Sequence, residues 1–73
     1  MDGNVNPEKY VIEPRESNVQ SSTLGNFWWV LRPKGGGTIK LQSEIYTRRA
    51  TVTKQTKTFS EDTGIPILPV KTM

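Results

Sequence analysis

Apolar residues recur along this chain with a period of two, most clearly in the run Phe27-Trp28-Trp29-Val30-Leu31. Alternation places Phe27, Trp29 and Leu31 on one face and Trp28, Val30 and Arg32 on the other, which predicts a strand with the first set in the core. The following Lys34-Gly35-Gly36-Gly37 reads as a turn, because glycine tolerates the positive φ angles of a tight hairpin. Residues 38–47 then alternate again. Ile39, Leu41 and Ile45 fall on one side with Ser43 between them, and Lys40, Gln42, Glu44 and Tyr46 fall on the other, the pattern of a half-buried antiparallel strand. A helix over residues 41–49 competes, since Leu41 and Ile45 stand four apart, but isoleucine, tyrosine and threonine lower its propensity.

Residues 48–59, RRATVTKQTKTF, are rich in threonine and carry Val52 and Phe59 without a helix start signal, so they predict a third strand. SEDTG then reads as a loop. In IPILPV the prolines at 66 and 69 lack the N–H a ladder needs, which confines the segment to a sheet edge or an extended surface strip. The first 26 residues are dominated by Asn, Ser, Glu and Pro, with one apolar patch at Tyr10-Val11-Ile12 between Pro7 and Pro14. They predict a poorly ordered acidic arm whose patch covers the core, adds an edge strand or docks on a partner. The expected organisation is an arm at 1–26, a basic antiparallel β-domain at 27–70 and a tail at 71–73. The fold class is mainly β, a small antiparallel sheet of three to four strands centred on a hairpin over residues 27–47.

Composition narrows the chemistry. The 73 residues allow one domain, and a domain of that size buries a modest core. Cysteine and histidine are both absent, so a disulfide and the usual structural zinc ligands are excluded, and no metal or cofactor is expected. No apolar stretch is long enough to cross a bilayer and the first residues lack a secretion signal, so a cytoplasmic protein without membrane contact is expected. Histidine is the usual group titrating near neutrality; without it, and without a cysteine nucleophile, the chain is not expected to be an enzyme.

The net charge of +3 is unevenly distributed. Residues 1–26 carry −2, residues 27–60 carry +6 and residues 61–73 carry −1. A basic middle attracts phosphates or an acidic protein surface within about 8–10 Å in physiological salt, and edge lysines also guard sheets from aggregation. Trp28, set on the face opposite Trp29, is either capped by the arm or offered to a partner, tryptophan being a frequent interface anchor. Tyr10, Val11, Ile12, Trp28, Arg48, Arg49, Lys54 and Lys57 are therefore the candidate partner-binding residues. RPKGGGT departs from a P-loop, because its lysine precedes the glycines and a strand follows. The PxxP at residues 66–69 and the kinase-like RRAT are too short to assign a role.

The layout also carries a resemblance. A small chain without cysteine or histidine, in which NPEKYVIEPRE leads into NFWWVLRPKGGGTIKLQSEIY, resembles the small regulators of host bacterial RNA polymerase encoded by phages, including lytic Xanthomonas phages. The resemblance implies a monomer that binds the N-terminal region of the polymerase β′ subunit in the host cytoplasm, inhibits σ-dependent initiation and promotes antitermination. Two alternatives stand beside it: a single-stranded nucleic-acid module, with bases stacked on Trp28 and Tyr46 and phosphates held by Arg48, Arg49, Lys54 and Lys57, and a virion assembly component.

Overall fold

A computed structural model describes residues 8–17 and 25–72. Four strands form one sheet in the order β3-β2-β1-β4, and a single helix packs on one face. The strands are β1 (Tyr10–Glu16), β2 (Phe27–Pro33), β3 (Leu41–Gln42) and β4 (Lys71–Thr72), and the helix α1 spans Arg49–Thr63. More residues lie in strands than in the helix, in keeping with a mainly β chain. The sheet is mixed: β1 to β2 and β2 to β3 are antiparallel, and β4 runs parallel to β1.

The core forms where β2 was expected to bury its odd-numbered side. Trp29 and Leu31 join Ile12, Val52 and Ile65, with Tyr10, Phe27, Tyr46 and Phe59 packed around them. At roughly 25 cal/mol per Å², with each aromatic hiding about 150–250 Å², this cluster supplies most of the stabilisation available to so small a sheet.

Four expectations are corrected. Residues 10–16, assigned to the arm, form an inner strand paired with β2 along its whole length, from Tyr10 opposite Pro33 to Glu16 opposite Phe27. Residues 1–7 and 18–24 of that arm lie outside the described residues. Pro14 is tolerated in β1 because its missing N–H faces the same edge as that of Ile12. There the pairing runs from Ile12 to the 66–68 segment and resumes at Lys71, interrupted around Pro69. The supposed tail at 71–73 accordingly begins with β4.

The threonine-rich segment is the helix α1, not a third strand. Val52, Thr56 and Phe59, at i, i+4 and i+7, provide the stripe that faces the sheet. Burying Thr56 is affordable because its hydroxyl donates to Val52 O at 2.8 Å. Gly64, at φ 80°, closes the helix through its N–H to Ser60 O, and Pro66 follows.

The return strand is shorter than its alternation implies, and it slips by one residue. Leu41 and Gln42 pair with Leu31 and Val30, and Ser43 N–H donates to Trp29 O. The next bridge joins Phe27 to Tyr46. One residue of β2, Trp28, therefore faces two, Glu44 and Ile45, and the Ser43 hydroxyl takes the Trp29 N–H. The slip reverses the expected faces, so Tyr46 packs on the core and Ile45 stays 43% exposed. Gly25 permits this closure, since a Cβ there would collide with Tyr46 O.

Candidate functional site

Helix α1 lies across the middle of the sheet and leaves a groove on each side. On the β4 side, Phe27, Val52 and Thr56 line one part of a cavity of about 370 Å³ and Leu68, Pro69 and Val70 line another. Arg49 and Lys57 border it from the helix, and Arg15 and Glu16 from β1. On the β3 side a second cavity, about 470 Å³, is bounded by Trp29, Thr51, Lys54, Gln55, Thr58 and Phe59, with Asp62 at its end. The Trp29 and Phe59 rings meet there at 5.2 Å. Gln55 satisfies the Trp29 indole, accepting its N–H at 3.1 Å while its own amide donates to the Tyr46 hydroxyl.

The charges on α1 oppose its dipole. Arg48 occupies the N-cap with extended backbone and makes no side-chain cap hydrogen bond, and no acidic residue stands in the first turn. Glu61 and Asp62 occupy the last turn, where basic residues are favoured. Serine, threonine, aspartate or asparagine at an N-cap would accept an otherwise unpartnered backbone N–H. Arg49 is partly neutralised by Glu16, Nη2 lying 2.8 Å from Oε2, and its guanidinium sits 5.6 Å from the Phe27 ring centroid. Arg48, Lys54, Lys57 and Lys71 are exposed and have no ion-pair partner among the described residues.

The opposite face of the sheet is closed by an ion-pair chain. Glu13 is 5% exposed, receives Arg15 Nε at 2.8 Å on Oε1 and meets Arg32 Nη2 at 3.1 Å on Oε2. Burial alone would raise the Glu13 pKa, but hydrogen bonds from Arg32 and Arg15 together with their charges outweigh it, holding the carboxyl below its ordinary value. Trp28 sits on this face opposite Arg15 and is half-buried.

The eight candidate residues therefore divide. Arg48, Arg49, Lys54 and Lys57 gather on α1, with Arg49 and Lys57 on one groove and Lys54 on the other. Trp28 lies across the sheet from them. Val11, 3% exposed, and Ile12, fully buried, are structural and have no surface to offer a partner. Tyr10 is half-buried, with Lys40 Nζ 5.8 Å from its ring centroid. Residues 66–68 lie at the sheet edge that their prolines implied, bonded to Ile12, but sequence reasoning did not assign the apolar wall at residues 67–70 to the site.

Fold and site define a two-layer module, one helix on a mixed four-stranded sheet, with a basic helix start beside an apolar groove. No family model, curated protein or solved structure matches the chain. Among the described residues no helix is long and apolar enough to cross a membrane, and no cluster of acidic side chains could hold a metal ion.

Proposed function

We propose that this protein is a regulatory binding module that attaches to host bacterial RNA polymerase at the N-terminal region of β′, there inhibiting σ-dependent initiation and promoting antitermination. The supporting observation is the start of α1. Arg48 and Arg49 stand where a capping side chain and acidic residues would stabilise the helix, and local choices made against stability concentrate at functional sites. Exposed cations there accelerate encounter with an acidic protein surface, and the neighbouring apolar side chains supply the short-range contact.

Direct nucleic-acid binding is the weaker reading, because the parts it needs are separated. Trp28 faces away from the helix that carries the basic residues, and Tyr46 is packed on the core. A stacking platform works only beside the cations that hold the backbone. The test is affinity capture from bacterial lysate at moderate salt with mass spectrometry of what is retained, followed by promoter-dependent and terminator-readthrough transcription with the purified enzyme. Recovery of polymerase subunits, with reduced initiation and increased readthrough, is expected; recovery of none ends the proposal.

A further inference from the structure

We infer that the groove between α1 and the 67–70 segment is a docking site for an acidic amphipathic peptide segment of a partner protein. The inference rests on reading the chain as a protein-binding module and names the chemistry that one surface selects.

Three observations carry it. The groove is apolar where it is deep: Val52, Thr56 and Phe27 line it, and the one buried hydroxyl among them, on Thr56, is already bonded to Val52 O and Thr53 O. Of the polar side chains that line it, Thr53, Arg49 and Lys57 are exposed at the border, so the buried floor offers no converging polar groups of the kind that orient a small polar ligand. The wall is apolar and open, with Ile67 40% and Val70 48% exposed, although large apolar side chains are mostly covered in a chain with so few of them.

Charge supplies the third observation and the identity of the occupant. Lys57 borders the groove without an ion-pair partner among the described residues, Lys71 follows directly after Val70, and Arg48 stands next to Arg49 at the helix start. Arg49 is opposed by Glu16, which leaves the border positive overall. An occupant with an apolar stripe and carboxylates beside it satisfies both the floor and the border, whereas a basic amphipathic segment would meet like charges.

Pro69 determines how such a segment binds. The backbone of residues 66 and 68 already bonds β1 through Ile12, and Pro69, on the alternate that faces away from β1, has no N–H to offer an added strand, so strand addition is disfavoured along this wall. Binding then proceeds through side chains, in the manner of a helix laid into a groove. From Arg49 to Lys57 the helix advances about 12 Å at 1.5 Å per residue, enough to hold about two turns of a bound helix.

The test titrates the isotope-labelled chain with a leucine–glutamate amphipathic peptide of about 12 residues, with its leucine–lysine counterpart, and with oligothymidylate, reading amide shifts. The expected result is saturable change at Val52, Thr53, Thr56, Lys57, Leu68 and Val70 with the acidic peptide alone. Affinity should weaken about tenfold or more in Lys57→Glu and in Val70→Asp. Both positions are exposed, and a thermal melt of each variant verifies that it folds. Equal response to the basic peptide, response to oligothymidylate at the same residues, or shifts confined to the Trp29–Phe59 side overturns the assignment. So do shifts that change with protein concentration alone, which would mark a contact between copies. Polymerase captured by the parent chain, with no acidic-peptide binding to that chain, removes the groove assignment and leaves the polymerase proposal standing. Peptide binding without polymerase capture removes only the latter.

Discussion

Replacing Arg48 with serine should stabilise this protein while weakening the proposed attachment to polymerase. Arg48 already has the extended backbone of an N-cap, φ −125° and ψ 133°, so a serine hydroxyl can accept a first-turn N–H without rearrangement. Introducing a capping side chain contributes about 1 kcal/mol, and removing a cation from the positive end of the helix dipole adds roughly 0.3–1 kcal/mol. For a domain of this size the total of about 1–2 kcal/mol corresponds to a rise in Tm of roughly 5–15 °C. Arg48→Ala separates the two contributions, because it relieves the dipole but supplies no cap. Differential scanning calorimetry gives Tm, and capture of purified polymerase gives binding. An unchanged or lower Tm for Arg48→Ser would refute the claim that the helix start is locally unfavourable. A higher Tm with undiminished capture would refute the claim that Arg48 serves the partner.

Other perturbations test the fold beneath the site. Glu13→Gln should cost about 1–3 kcal/mol in urea unfolding, less than a fully buried pair because Arg15 and Arg32 keep 15% and 22% side-chain exposure. Because the folded Glu13 pKa is depressed, its contribution is present above the ordinary value of 4.5 and is lost as pH falls through the folded pKa. The parent should therefore lose stability over that acid range, and Glu13→Gln should lose less. Gly25→Ala should destabilise by about 2–4 kcal/mol, since φ is 107° and the new Cβ meets Tyr46 O; an unchanged melting curve would contradict the close approach. Ile45→Ser should be within about 0.5 kcal/mol of the parent while Tyr46→Ala costs about 2 kcal/mol or more, and the reverse ranking would restore the unslipped register.

The sequence revealed the faces of β2 because nothing there competes with alternation: Phe27, Trp29 and Leu31 point inward as their spacing requires. It concealed β1 because composition argued against it. Two prolines and three glutamates surround the patch, and only the pairing shows that Glu13 is neutralised by arginines two residues away on its own strand and across on β2. Threonine disguised α1 as a strand, since its low helix propensity is overridden by packing of Val52, Thr56 and Phe59 on the sheet. The stop signal, Gly64 followed by Pro66, was legible in what was read as a loop. The slip after Ser43 was not, because a single extra residue leaves no mark on an alternating pattern. Of the site, the cations on α1 were legible as a charge run. The groove was not, for it exists only when the 67–70 segment returns beside β1.

The most direct test of the account is an amide-shift titration of the isotope-labelled protein with a purified N-terminal fragment of polymerase β′. The account predicts saturable changes at Arg48, Arg49, Lys57 and Val70, with Trp28 and Arg32 on the far face of the sheet undisturbed. Changes centred on that far face, or a spectrum unmoved by the fragment, would contradict it.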